Sequence, residues 1–241
     1  MKVKEGLVGV ADTRVTTGSE CITARKVTIH QHRQHSMFVM TSGLRSVRDK
    51  AVTYFQEIIE EENFDKMYKA VNALGEQVRR VFREDKDSLE ESGFRFNLYA
   101  LVGGQLENDP EHKLYLLYPQ GNWVEVSEGS SYYIIGNSGY GKPLLDRVLR
   151  YESTMKLALK TGFLAFDATR TSSNDVEYPI DIVLYYRDSF NVIEHRFQKD
   201  DLQRVSLWWQ ERIANSVREL PDDWIESVSS KLIRPVSENT L

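Results

Sequence analysis

The stretch Ala11–Gly18, ADTRVTTG, decides how the rest of this sequence is read. In an extended strand successive side chains alternate, so Asp12, Arg14 and Thr16 share one face. Three polar groups in a row on a β face are either solvated or part of a site. Residues 23–29, TARKVTI, set Lys26 among β-prone neighbours. Alone it reads as an edge-strand charge that resists aggregation. Beside Asp12 it becomes a partly buried ion pair, of the kind that sets the protonation of a neighbouring group. Residues 40–46, MTSGLRS, end a strand at Ser42-Gly43 and pass into a helix. Backbone N–H groups at such a junction either receive a developing oxyanion or simply form a tight turn.

Around these segments the periodicity changes several times. Strand-like runs cover residues 1–15 with a kink, then ITARKVTIHQ and HSMFVMTS, with a turn at VTTGSE. From Leu44, Val47, Ala51, Tyr54, Phe55, Ile58 and Ile59 fall on one helical face. Asp65 stands where a second helix needs its cap; that helix carries Val71, Leu74, Val78 and Val81, and the charged run EDKDSLEESG reads as its exit. Strand patterns return in FRFNLYALVGGQ, HKLYLLYPQ, NWVEVSE and SSYYIIGN. Helices follow near Pro143 and over about 154–166. A hairpin turns at Asp188-Ser189, and the last forty residues are helical with Leu202, Val205, Trp208 and Trp209 facing a core. Strand clusters joined by hairpins predict antiparallel sheets, and two such sheets with helices outside give an α+β, four-layer αββα sandwich in a single domain spanning 1–241.

Bulk properties narrow the function. The 241 residues contain 41% apolar and 28% charged side chains, which is the balance of a folded soluble chain. A net charge of −5 argues against nucleic acid or an anionic membrane as a general partner. Cys21 is the only cysteine, so no disulfide closes within the chain, which fits a reducing cytoplasm. No apolar run reaches the roughly 20 residues of a membrane span. Charges at Lys2, Lys4 and Glu5 occupy the place of a signal peptide's apolar core. His30 and His32 share a strand face near His35, but no Cys or Asp cluster completes a metal set, and no cofactor is expected.

Residues 132–143, YYIIGNSGYGKP, come within one position of a phosphate loop: Gly136, four residues, then Gly141-Lys142. The hydroxyl that such a loop offers to a metal ion is replaced by Pro143, which instead suits the first turn of a helix.

Taken in order, Asp12-x-Arg14-x-Thr16-Thr17-Gly18, Lys26 and Ser42-Gly43 before a helix resemble the opening of a proteasome β subunit. The later segments LYLLYPQGNW (114–123), IGNSGYGKPLLDR (135–147) and YPIDIVLYYRDSF (178–190) make the sequence similar to Anbu, the ancestral β-subunit group of bacterial proteasome-like proteins. The resemblance spans nearly the whole chain and implies the αββα sandwich of N-terminal-nucleophile hydrolases.

The same resemblance implies the chemistry. An N-terminal threonine hydroxyl attacks a peptide carbonyl, and its own α-amine, with a reference pKa of about 7.7–8.0, takes the proton. Lys26 would lower the local proton affinity, Asp12 would hold Lys26, and the Gly43 N–H would receive the oxyanion. Arg14, Thr16 and Ser42 would pair with an extended substrate. Ser138 is the serine expected near the nucleophile, with Asn137 the neighbour a shifted alignment selects. Ser172 and Asp175 fall where a further Ser and Asp are expected, but their types are swapped against the pattern. The resemblance also implies self-assembly into a ring or helical homo-oligomer acting on peptides or unfolded protein. In the family the nucleophile lies about sixteen residues before the aspartate matched to Asp12. Counting back reaches roughly five residues before Met1. Thr13, Thr16 and Thr17 are internal and carry no free amine, so the sequence as it stands is expected to be inactive. Either a short threonine-led segment precedes Met1, or the chain is a non-catalytic ring- or shell-forming homologue.

Overall fold

The computed structural model describes residues 1–17 and 20–229; Gly18 and Ser19, in the expected turn, and residues 230–241 lie outside the described part. Strand β1 is Lys2–Val3, β2 Gly6–Asp12, β3 Arg14–Thr17, β4 Glu20–Thr23, β5 Val27–His32 and β6 His35–Gly43. Helices α1 (Arg45–Glu61) and α2 (Met67–Glu91) follow, then β7 (Leu98–Gln105), β8 (Lys113–Leu117) and β9 (Trp123–Glu125). Next come α3 (Lys142–Val148), α4 (Met155–Ser172), β10 (Ile180–Tyr186), β11 (Val192–Phe197), α5 (Lys199–Arg218) and α6 (Asp223–Ser229). The chain divides into two compact units, Met1–Lys199 and Asp200–Leu241.

In the first unit the strands form a four-stranded sheet, β1-β2-β10-β11, and a five-stranded sheet, β5-β6-β7-β8-β9, with β3 and β4 as a separate hairpin. Every pairing is antiparallel, as hairpin-rich strand clusters require. Three apolar layers result. Phe38, Met40, Leu114 and Leu116 meet Leu7, Val183 and Tyr185 between the sheets. Val47, Ala51 and Phe55 of α1 and Val71, Leu74 and Val78 of α2 cover the outer face of the larger sheet. Leu145 of α3 and Met155, Ala158 and Ala165 of α4 cover Val3 and Val8 of the smaller one. This is the αββα sandwich.

Several local expectations change. Asp65 does not cap α2; it pairs with Lys69 instead. The first N–H of α2 comes from Met67, and it is accepted by the buried Asp109 carboxylate at 2.9 Å, from 42 residues away. The charged run after Phe82 continues the helix to Glu91, because Arg80–Glu84 and Lys86–Glu90 pair at i,i+4 and Lys50 of α1 binds Glu84 and Asp85 at 2.7 Å each. Tyr132–Ile135 joins no ladder despite its β-prone residues. Lys26 lies in the break between β4 and β5, not within a strand. Asp12, Arg14 and Thr16 do not share one strand either: Thr13 is buried, donates its hydroxyl to Pro179 O at 2.8 Å, and separates β2 from β3.

Helix α4 starts at a cap, where Thr154 Oγ1 accepts from Leu157 N at 3.2 Å. Thr154→Ala is expected to lower stability by about 1 kcal/mol, read as a shift in the urea midpoint at constant slope. In the second unit neither α5 nor α6 buries a residue, so Val205, Trp208 and Trp224 are exposed where a core-facing role was expected for the first two. Among the described residues no helix is long and apolar enough to cross a membrane.

Candidate active site

A cleft of about 360 Å³ opens between the sheets at the end of β2. Asp12 is the last residue of β2, and the Asx-type bond from Arg14 N to its Oδ2 at 2.9 Å fixes its rotamer. Lys26 Nζ donates to Asp12 Oδ1 at 2.6 Å. With 19% and 13% of their side chains exposed, Lys26 and Asp12 are largely withdrawn from water yet reachable from the cleft. Burial pushes the Asp12 carboxyl above its ordinary value, while the Lys26 ammonium and the Arg14 amide pull it back. Lys26 is placed through its backbone: its carbonyl accepts Thr41 N at 3.0 Å, tying it to β6.

Thr41 and Ser42 at the end of β6 line the same cleft. Gly43, the next residue, has φ 133°, and a Cβ there would come within 2.2 Å of Asn97 O, so the junction before α1 requires glycine. Gly136, with φ 86°, sits where a Cβ would meet Ser42 Oγ at 3.0 Å; this close approach lays the 132–137 loop across the cleft. The loop that resembled a phosphate cradle thus forms a wall of the cleft. Lys142 is committed to Asp146 at 2.8 Å.

Asp12, Lys26 and Ser42 are therefore brought together, with Gly43 adjoining. Ser138 is not among them: it is exposed and borders a neighbouring cavity. Asn137 lines the cleft instead, and its amide donates to Ser173 Oγ at 3.0 Å. Asp175 also lines the cleft, whereas Ser172 ends α4 on the exposed side. Arg14 and Thr16 lie on the β3–β4 hairpin outside the lining, and Arg14 Nη2 donates to Cys21 Sγ at 3.0 Å. Sequence reasoning passed over Met1. Its side chain enters the cleft beside Gly162, where a Cβ would come within 2.3 Å of Met1 Cε. Met1 as a residue is half-buried, but its amine is sealed: it donates to Val8 O at 2.8 Å, and burial lowers its pKa from 8.0 to about 5.

The edge of β2 nearest the cleft is open. On one side Gly9–Asp12 pair with Val183–Ile180 of β10. On the other, β1 covers β2 only as far as Val8, through Met1. This combination of a lysine–aspartate pair, a glycine junction and an open strand edge between two sheets coincides with a family match. A family model described as Proteasome subunit matches residues 1–183. The chain belongs to the proteasome subunit family. Among solved structures it is similar to Anbu (ancestral β-subunit) from Yersinia bercovieri, at 29% identity over 92% of this chain and 95% of that one, with a TM-score of 0.85. It is also similar to Anbu from Hyphomicrobium sp. strain MC1, at 28% identity over 91% and 96% of the two chains, with a TM-score of 0.81. A third likeness is to the helical assembly of the Anbu complex from Pseudomonas aeruginosa, at 25% identity over 99% and 98%, with a TM-score of 0.86. No curated protein matches the chain. These likenesses bear out the Anbu-type reading of the sequence and its sandwich fold.

Proposed function

We propose that this chain is a subunit of a proteasome-like, threonine-type peptidase that hydrolyses peptide bonds within a self-assembled ring or helix, its nucleophile being a threonine upstream of Met1. One observation carries the reading. Partner numbers in the β1–β2 ladder add to nine: Lys2 faces Leu7, Val3 faces Gly6, and Met1 exchanges bonds with Val8 at 2.8 and 3.0 Å. A strand continued upstream in that register would run along the open edge of β2. Its fifth residue would stand opposite Thr13, next to Asp12 and the Lys26 ammonium. The family's spacing from nucleophile to aspartate reaches the same position by an independent count.

At that position the threonine hydroxyl would add to the substrate carbonyl while the α-amine takes its proton. The amine would then protonate the leaving group, and water, deprotonated by the same amine, would hydrolyse the resulting ester. Lys26, held by Asp12, disfavours a second positive charge and so keeps the amine available as a base. The Gly43 N–H would receive the oxyanion. Ser42 at the end of β6 and Thr16 and Arg14 on the hairpin offer polar groups to an extended peptide. Asn137 and Asp175, which line the cleft, suit the positioning of the amine or a water better than Ser138 does. The helical assembly named for the Pseudomonas aeruginosa relative supports self-association here.

The second reading is a non-catalytic ring- or shell-forming homologue, which needs no nucleophile beside the Asp12–Lys26 pair. One comparison separates the two. The chain from Met1 and a form extended by threonine and four β-prone residues are incubated with fluorogenic peptide amides. The extended form alone is expected to turn over. A folded, assembled extended form that hydrolyses nothing would leave the non-catalytic reading.

A further inference from the structure

Strand β1 is two residues long, and an isolated hairpin of that size is not stable in water. It is nevertheless held on every side. Lys2 N donates to Ser131 O at 2.7 Å and Lys4 N to Tyr151 O at 2.8 Å, on the edge away from β2. The Lys2 side chain, 3% exposed, binds Glu111 at 3.1 Å, and Glu125 lies at 4.0 Å. Lys113 shares both carboxylates, at 3.5 and 2.9 Å, so two ammonium groups face two carboxylates. At the turn, the Glu5 carboxylate accepts Met155 N at 2.8 Å, tying the hairpin to the start of α4.

The contact that asks for an explanation is His112. It is fully buried, and its Nε2 lies 2.9 Å from Val3 O. A carbonyl can only accept, so Nε2 carries the proton and Nδ1 is the bare nitrogen. Nδ1 is buried with no hydrogen-bond partner. An unsatisfied buried nitrogen is costly, and a leucine would fill much of the same space without that cost. What the imidazole alone supplies is an N–H aimed at β1. The mechanism proposed above makes no use of it.

We infer that His112 is a positioning residue: by holding the Val3 carbonyl it locks β1 in place, so that the strand's upstream continuation presents its first residue to the Asp12–Lys26 pair. This rests on the peptidase reading. The distance gives the clamp its leverage. From Val3 to the fifth residue before Met1 is a run of about 23 Å at the rise of an extended strand. A small tilt at the turn is therefore magnified at the reacting end, and a misplacement of 1 Å there can cost ~10²-fold in rate.

Two substitutions test this in the threonine-led form. His112→Leu fills the space and cannot donate; His112→Gln carries an amide N–H that can reach Val3 O. His112→Leu is expected to lower kcat by ~10²-fold with KM changed less than about threefold, and His112→Gln to restore most of the loss. Hydrogen–deuterium exchange on the same proteins is expected to quicken in residues 1–8 of the leucine variant, not in the glutamine variant, and not in α1 or α2. Equal losses in both variants, or unchanged exchange in residues 1–8 of the leucine variant, would overturn the inference. If the parent hydrolyses nothing, the peptidase reading fails by itself; the exchange comparison then still decides whether His112 holds β1.

Discussion

Lys26→Met in the threonine-led form is expected to lower kcat/KM for peptide hydrolysis by ~10²–10⁴-fold, the range lost when a general acid–base step is disabled. Methionine keeps the unbranched stem and removes the charge. Two consequences follow, and they separate chemistry from folding. The α-amine beside Lys26 loses a like charge, so its pKa rises and the acid limb of the pH–rate profile moves to higher pH. Asp12, whose carboxyl is already raised by burial, loses the group that pulls it back and rises further. Asp12→Asn is therefore expected to act through Lys26, with a smaller loss and a shift in the same profile. Thermal melts of each variant give the structural share. A Lys26→Met protein with full activity and an unmoved pH profile would remove Lys26 from the mechanism.

The chain that starts at Met1 should lose stability as the pH falls from 8 to 5. Its α-amine is lowered from 8.0 to about 5 by burial. The sign follows from proton counting. Between those values the unfolded amine binds a proton that the folded one refuses, so the folded state is disfavoured increasingly as pH drops. The full difference corresponds to ~4 kcal/mol, reached near pH 5. His30, packed edge-on against Phe55, and His112 are also lowered by burial and act in the same direction below their ordinary 6.5. Asp12 and Asp109, both raised by burial, act in the opposite direction. Urea midpoints at pH 8 and pH 5.5 measure the sum. In the extended form a peptide amide replaces the Met1 amine, so most of this dependence should vanish; an identical slope in the two forms would show that the Met1 amine is not buried.

Much of this fold was legible because its signals are local. Val47, Ala51 and Phe55 fall at helical spacing and are the buried face of α1. The strands around Asp188-Ser189 pair from Tyr185–Val192 to Ile180–Phe197 as a hairpin. What was missed depends on distant partners. The N–H at the start of α2 is accepted by Asp109, which no spacing rule near Asp65 can reveal. Tyr132–Ile135 has β-prone residues but no neighbouring strand, and its apolar side chains serve as a wall of the cleft and a filler between layers. Of the site, Asp12 and Ser42-Gly43 stand at the ends of strands and Lys26 directly before β5, where a motif marks them. Asn137 and Ser138 lie in a loop that Gly136 brings close to Ser42, so adjacent positions face different cavities: the resemblance selects Ser138, but Asn137 lines the cleft.

The central claim is that a threonine stands five residues before Met1 and reaches Lys26 along the edge of β2. The N-terminal sequence and intact mass of the protein isolated from the cells that make it test this most directly. The account predicts a threonine first and a mass greater than that of the Met1 chain by five residues. A protein whose first residue is Met1, or Lys2 after trimming, would contradict it and leave a non-catalytic member of the proteasome family.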